Sequence, residues 1–380
     1  MLTKVRYNYR IYPNKTQREY LAKQFGCSRS VWNKSLDLMK EHHTSTNKLL
    51  TYGELSEKLT HELKAEYTWL YEVAAQPLQQ SITDLHRAFC HWAKGIQRYP
   101  RFKKRSSRQS SRWPQRVKVI DEGRLSLTNV PGTLKVKWDR ALPGPFTMVT
   151  IIKESSDKYY ASFITTLELP SETPMAYEDT FLGVDLGIKE LLVCSNGIRV
   201  ENPKFFHRAE ENVVRKSKAL SAKKKKGSRA WRRVRRTLSR AQEKIRNQRK
   251  DYARQIASRL VKLPGYVGIA MESLQVKEAI EKSKHWAKHL QDVGWRLLRD
   301  AIQWACHKTG KKFVSVDTYF PSTQVCSTCQ TTNGKIPVNI RKWTCKSCGT
   351  THDRDINSGH NLAHYAWHIS MGLGIPAYSM

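Results

Sequence analysis

Acid is what this chain is short of. Its 380 residues carry 33 Asp and Glu against 67 Lys and Arg, a formal net charge of +34 at pH 7. Self-repulsion at that level opposes a compact state unless a polyanion neutralises it, so nucleic acid is the leading expected partner. Long apolar runs are also missing. None approaches the ~20 residues of a membrane-spanning helix, which leaves an anionic membrane surface as the weaker alternative. The N-terminal run Met1-Leu2-Thr3-Lys4-Val5-Arg6 has no signal-peptide core, and a cytoplasmic, nucleoid-associated protein is the expectation. Cysteine is scarce outside one place. Four of the eight fall within 23 residues, while Cys27, Cys90, Cys194 and Cys306 are scattered. That is metal-site usage in a reducing compartment, not a disulfide framework.

What is present suffices for real cores. Hydrophobic residues make up 39% and aromatics 10%, which argues against wholesale disorder, and the length suggests two or three domains. Val5, Tyr7, Tyr9 and Ile11 alternate with Arg6, Asn8 and Arg10, the pattern of a half-buried strand. Thr16-Gln17-Arg18-Glu19 reads as a capping box. It opens a helix that Gly26 is expected to stop, and a second helix over 28–42 carries Val31, Trp32, Ser35, Leu36 and Met39 on one face. The pair resembles a helix-turn-helix; an ordinary helical hairpin is the plainer alternative. More helix is expected over 54–63 and 76–92. Short β runs follow at 117–120, 125–127, 133–136, 148–152 and 159–165, broken by Gly, Pro, Asp and Asn. The first strand can join them in a small barrel, which makes the helices of 16–97 an insertion. Residues 170–180 read as a linker and the best domain boundary.

Two basic stretches stand out. Residues 98–116 interleave Arg and Lys with Ser, Gln and single aromatics. Such a loop can hold phosphates and stack bases, with Arg101, Phe102, Lys103, Lys104 and Arg105 as candidates; a solvated basic loop is the alternative. Residues 204–250 hold 19 Lys or Arg and three Glu. Val234, Leu238, Ala241 and Ile245 recur at i, i+4, i+7 and i+11, an apolar stripe on a helix. Lys223 to Lys226 mark a loop between two basic helices. Uncompensated like charges repel, so a phosphate-binding surface is expected over a merely solvated face, with Lys223, Lys224, Arg232, Arg233, Arg236, Arg249 and Lys250 as candidates. Helix is also expected over 292–307 and strand over 313–316.

The sharpest local signal is Cys326-Ser327-Thr328-Cys329 with Cys345-Lys346-Ser347-Cys348. Two thiolate knuckles at that spacing fit one tetrahedral zinc ion. Four thiolates close the site, so its role is to fold a small segment that has no sufficient core. The second signal is dispersed. Asp185 ends an apolar run before a tight Asp-Leu-Gly turn, Glu272 follows the run 266–271, and Asp353 and Asp355 follow the cysteines. A buried charge needs a partner, and three carboxylates on separate elements suit two-magnesium hydrolysis of a phosphodiester. Of the last pair, Asp355 is the favoured ligand, since an Asp in a first helical turn is also a good cap. Asn357 is expected to orient the site or cap the helix. The order strand–Asp–strand, strand–Glu, strand–Asp–helix resembles an RNase H-like fold.

With these residues in view, the chain resembles the TnpB family, transposon-encoded RNA-guided nucleases related to type V CRISPR effectors. The resemblance rests on Gly183-Val184-Asp185-Leu186-Gly187-Ile188, Asn247-Gln248-Arg249-Lys250-Asp251, Glu272-Ser273-Leu274, the cysteine knuckles and Asp353-Arg354-Asp355-Ile356-Asn357. Upstream, Tyr9-Arg10-Ile11-Tyr12-Pro13 and Phe25-Gly26-Cys27-Ser28-Arg29 add to it. Ser358-Gly359 stand where small alanines are usual. The resemblance implies a multidomain α+β and α/β protein. A wedge-like β-barrel would cover 1–15 and 115–170, with a helical recognition insert over 16–114. A RuvC-like nuclease domain would cover 178–321 and 350–380, with a zinc ribbon over 322–349. It implies Asp185, Glu272 and Asp355 as the catalytic triad on two magnesium ions, and zinc on Cys326, Cys329, Cys345 and Cys348. It implies a guide RNA from the transposon end and cleavage of guide-paired DNA beside a short motif. A guided DNA-binding repressor and a DNA-joining transposase are the alternatives.

Overall fold

The computed structural model describes residues 2–106, 108–120, 123–172, 180–273, 294–337 and 339–376. They form two compact units that divide between Glu168 and Leu169.

In the first unit, β1 (Leu2–Tyr12) turns Val5, Tyr9 and Ile11 inward. It is joined by β2 (Gln109–Trp113), β3 (Val117–Ile120), β4 (Arg124–Leu127), β5 (Leu134–Lys137), β6 (Phe146–Lys153) and β7 (Tyr159–Glu168). The sheet is antiparallel, in the order β2-β6-β7-β1-β5-β4-β3. β2 lies inside the basic stretch expected to be loop; Trp113, fully buried, supplies the apolar anchor. Among the described residues no ladder joins edge strands β2 and β3, so the expected barrel is a curled, nearly closed sheet. The three residues between them include Pro114, which has no N–H for a ladder, and Arg116, whose φ is +53°. Trp113 of β2 and Leu125 of β4 nonetheless share one core.

The helical expectation needs correction at its start. The capping box is Asn14 with Gln17, two residues ahead of Thr16–Glu19: Gln17 N donates to Asn14 Oδ1 at 2.9 Å and Asn14 N to Gln17 Oε1 at 3.0 Å. Gly26 stops nothing. α1 (Lys15–Thr46) runs unbroken through it, so there is no helix-turn-helix here. An interior glycine costs a helix about 1 kcal/mol relative to alanine, less than the burial on either side contributes. Leu21 and Phe25 enter the core of the sheet, while Cys27, Val31, Trp32, Leu36 and Met39 enter a helical core. That second core is completed by α2 (Tyr52–Glu57), a π-helical turn Lys58–Leu63 and α3 (Ala75–Ala93).

The second unit is built on β8 (Phe181–Leu186), β9 (Glu190–Cys194), β10 (Arg199–Glu201), β11 (Gly268–Glu272) and β12 (Lys312–Val316), in the order β10-β9-β8-β11-β12. The first three pair antiparallel; β8, β11 and β12 are parallel. Between them come α4 (Phe205–Ser221) and α5 (Arg229–Leu260), and after β11 comes α6 (Trp295–Thr309). α7 (Arg354–Ser370) closes the fold. Leu182, Val184, Ile269 and Met271 pack on α5 and α6, while Phe181, Ala270, Val314 and Val316 pack on α7. Period-2 alternation therefore assigns Gly183, Asp185 and Glu272 to the α7 face. α4 and α5 form the expected hairpin, with Val213, Leu238 and Ile245 as its buried stripe. The expected helix start at 292, most of the 170–180 linker and Leu274 lie outside the described residues. Among the described residues no helix is long and apolar enough to cross a membrane.

Candidate functional site

Asp185 and Glu272 stand at the C-terminal ends of adjacent parallel strands, in register beside the pair Val184 and Met271. Ligand sites of open α/β sheets form at such ends. Neighbouring strands are about 4.8 Å apart. Two carboxylate charges at that spacing repel by roughly 3 kcal/mol at an effective dielectric of about 20. Asp355 arrives from the first turn of α7. Asp185 feels the other two. Burial first, then Glu272 and Asp355, push the Asp185 carboxyl well above the usual range, against the pull of Ser358 and Arg354. Burial raises Glu272 too, opposed by Ser322.

Each acid has a partner that local pattern did not announce. Ser358 Oγ donates to Asp185 Oδ1 at 3.2 Å, and Ser322 Oγ donates to Glu272 Oε1 at 2.6 Å. Arg341 Nη1 donates to both Asp355 oxygens, at 2.8 and 2.7 Å. Sequence reasoning singled out Ser358 only as a departure from alanine and missed Ser322 and Arg341. Asp353 is separated from this group. It caps α7, accepting from the backbone of Asp355 and Ile356, and its other oxygen pairs with Arg199. The donor set is one of hard carboxylate oxygens in a half-buried place, two of them steadied by hydroxyls and the Asp355 pair held by Arg341, and its chemistry is of the kind magnesium takes.

The approach of α7 to β8 depends on two glycines. A Cβ at Gly183 would lie 1.7 Å from Gly359 O, and one at Gly359 would lie 2.8 Å from Ser195 N. Small residues beside Ser358 are therefore a packing requirement.

The cysteines gather as expected. The ligand atoms of Cys326, Cys329, Cys345 and Cys348 all lie within 4.8 Å of one another. The Sγ–Sγ distances are 3.7 Å for Cys326–Cys348 and 3.6 Å for Cys329–Cys345. A tetrahedron of ~2.3 Å Zn–S bonds has edges of about 3.8 Å, so zinc fits. Among the described residues no other group of three or more His, Cys, Asp or Glu is drawn together as a metal group. The Cys348 backbone amide, the largest influence, takes the Cys345 thiol down to about 6, while burial takes Cys326 up to about 12. Strands β13 (Lys342–Thr344) and β14 (Thr351–Asp353) lead from this centre into α7. Asn357 neither caps the helix nor reaches the carboxylates. Buried, it donates to Val325 O at 2.8 Å and accepts from Ser327 N at 2.9 Å, tying the first knuckle to α7. Asn361 adds bonds to Ser322 O and Val325 O.

The basic candidates fall in both units. In the first, the segment before β2 is fastened along α1. Trp32 Nε1 donates to Arg101 O at 3.0 Å, and Asn33 exchanges hydrogen bonds with the backbone of Lys103. The Lys103 ammonium sits 3.5 Å from the Trp32 ring centroid. Gln109 holds the carbonyls of Lys104 and Arg105, and Arg101, Phe102, Lys103, Lys104 and Arg105 are exposed. In the second, Lys223 and Lys224 lie in the exposed α4–α5 turn. Arg232, Arg233, Arg236 and Lys250 are exposed along α5, and Arg249 is half-buried.

The family model OrfB_IS605, described as "Probable transposase", matches residues 164–283. A "Helix-turn-helix domain" model of the same family matches 1–48, the segment that here is β1 and the single helix α1. A "Cas12f1-like, TNB domain" model matches 295–362. A Streptomyces pristinaespiralis protein named "Putative RNA-guided DNA endonuclease" is 32% identical over 360 residues, 94% of this chain and 88% of its own. An Escherichia coli K12 protein of the same description, InsQ, is 27% identical over 371 residues, 94% of this chain and 90% of its own. The fold is that of Cas12f1 in a cryo-EM complex with sgRNA and target DNA, at a TM-score of 0.60 and 13% identity, over 93% of this chain and 83% of that one.

Proposed function

The chain belongs to the family of RNA-guided DNA endonucleases, and from that premise we propose that it cuts DNA paired to a guide RNA by metal-dependent hydrolysis at Asp185, Glu272 and Asp355. What supports this is placement: Asp185 and Glu272 end adjacent parallel strands in register, Asp355 lies in the first turn of the helix packed on them, and burial together with Glu272 and Asp355 raises the Asp185 carboxyl. The order β10-β9-β8-β11-β12, with the acids at the ends of its parallel strands and on the covering helix, supports an RNase H-like, RuvC-type centre.

Asp185, Glu272 and Asp355 would hold two magnesium ions, which when bound would supply an activated water and stabilisation of the leaving oxygen. The chain's own groups prepare the place. Asp185 and Glu272 present oxygens from rigid strand ends. The Ser358 and Ser322 hydroxyls fix how each carboxylate is turned, and Arg341 holds Asp355. The zinc centre on Cys326, Cys329, Cys345 and Cys348 is structural, and through Asn357 and Asn361 it steadies the helix that carries Asp355. The exposed cations of α4–α5 and the fastened segment at Arg101, Phe102, Lys104 and Arg105 bind guide RNA and target DNA through backbone and shape, not base identity.

The test expresses the full chain with RNA from its own locus and offers a guide-matched plasmid target beside randomised flanking sequence. Magnesium-dependent cutting beside one motif, abolished by Asp185→Ala with RNA binding retained, is the expected result. Full-rate cutting by Asp185→Ala overturns the metal-site assignment. Motif-dependent binding without cutting favours a repressor, and guide-independent strand joining favours a transposase.

A further inference from the structure

Two acids stand at the start of α7, Asp353 as its N-cap and Asp355 in its first turn, and both are well placed to be read as ligands from the sequence. Their surroundings differ. Asp353 Oδ1 accepts from the backbone N–H of Asp355 at 3.1 Å and of Ile356 at 3.2 Å. Its Oδ2 accepts from Arg199 Nη2 at 2.8 Å. Arg199 reaches the other way as well, donating from Nη1 to Glu190 Oε2 at 2.6 Å. Glu190 opens β9 and Arg199 opens β10, so one guanidinium ties the edge of the sheet to the N-terminus of α7. Both Asp353 oxygens are engaged by protein donors. Asp355 also has both oxygens engaged, but by a single side chain, Arg341, and it makes no bond to the cap amides or to Arg199.

We infer that Asp353 is a positioning residue for Asp355, and that Arg199, braced by Glu190, holds it in that role. The inference rests on the proposed role of Asp355 as a metal ligand. The first turn of a helix has backbone N–H groups without intrahelical partners and frays unless they are capped. The cap here accepts from the amide of Asp355 itself, so Asp353 fixes the backbone from which that carboxylate projects. Without Arg199 the Asp353 side chain is free to leave the amides for solvent. The rival role, Asp353 as a ligand, predicts the opposite sign, because Arg199 would then compete with the metal and its removal would tighten binding.

The experiment uses the full chain with its zinc retained. Free Mn2+ is followed by electron paramagnetic resonance, amide exchange is followed at Asp355 and Ile356, and the magnesium midpoint of target cutting is measured in the RNA-loaded protein. Arg199→Gln is expected to weaken Mn2+ binding and raise the magnesium midpoint by about 10-fold, the lower end of what removal of an outer-shell partner does to a metal site. Exchange at Asp355 and Ile356 should quicken, and Arg199→Lys should restore part of each. Asp353→Asn keeps an amide oxygen for the cap while losing the ion pair, and is expected between Arg199→Gln and the parent. An unchanged midpoint and unchanged exchange in Arg199→Gln overturn the inference, and a lowered midpoint makes Asp353 a ligand. Asp355→Ala separates this from the underlying reading. If it keeps Mn2+ binding and cutting, the role of Asp355 fails. If it loses both while Arg199→Gln behaves as the parent, only the positioning role fails.

Discussion

Gly183→Ala is the most demanding single change the structure offers, because it touches no ligand. Gly183 faces α7 two residues before Asp185. A Cβ there would sit 1.7 Å from Gly359 O, 2.7 Å from Gly359 C and 3.0 Å from Ala363 N. All three are backbone atoms of a helix, so no side chain can turn aside. Ordinary contact begins at 3.4 Å, which leaves the closest pair 1.7 Å short. α7 must therefore lift from β8 by more than an ångström, taking Ser358 and Asp355 away from Asp185. Overpacking a core costs ~1–3 kcal/mol, and a backbone-on-backbone collision belongs at the upper end. At about 2–4 °C per kcal/mol for a unit of this size, thermal unfolding followed by circular dichroism should fall by roughly 6–12 °C. A misplacement of about 1 Å costs on the order of 100-fold in rate, so cutting of a guide-matched plasmid should drop by that factor at saturating magnesium. Gly26→Ala is the control. Its Cβ meets nothing nearer than Arg29 Nη2 at 4.0 Å, and it should leave stability unchanged or raise it by up to ~1 kcal/mol. A Gly183→Ala protein that melts and cuts like its parent refutes the argument that this glycine sets the distance between the acids.

The remaining predictions concern charge and zinc. Burial and the neighbouring acids raise Asp185, and burial raises Glu272. Such groups keep their protons in the folded chain after the unfolded chain has lost them, so the metal-free protein has the full increment from these two groups below the ordinary carboxylate range. It loses that increment as pH rises towards the raised values. Asp185→Asn should therefore raise the melting temperature of the metal-free chain at neutral pH. Magnesium should stabilise the parent, by about 2.7 kcal/mol at 100 times its dissociation constant, and the variant much less. For the same reason metal binding and cutting should weaken on acidification, since ligands must lose protons to bind. Cys345→Ser removes a thiol already lowered to about 6. It should abolish stoichiometric zinc by metal analysis, lower the yield of folded protein, and change the emission of Trp343, whose ring lies 4.9 Å from that of His352.

Periodicity made much of the second unit legible. Alternation along β8 assigns Leu182 and Val184 to one face and Phe181, Gly183 and Asp185 to the other, and a slip of one residue would bury the carboxylate among Ile269 and Met271. The cysteine spacing fixed its own centre, because ligand chemistry tolerates few alternatives. Local signals failed where tertiary burial outweighed them. Gly26 has the propensity of a helix stop, but Phe25 and Cys27 on either side are each anchored in a core. Thr16–Glu19 has the composition of a cap, but Asn14 stands where β1 ends and uses Gln17 instead.

The partners of the acids were beyond sequence reading for a different reason. Ser322 lies 50 residues from Glu272, and Ser358 lies 173 from Asp185. Neither serine belongs to a periodic pattern or a fixed spacing. Their selection follows from where the ribbon and α7 meet the sheet, and that meeting is itself arranged by Asn357 and Asn361 clasping the first cysteine knuckle. The cysteine cluster and the acids are therefore linked through one helix. Loosening the knuckle should disturb Ser322, held to Asn361, before it disturbs Asp185 on its strand. A chelator that strips zinc is then expected to impair the Glu272 side of the site first, an order that no spacing in the sequence encodes.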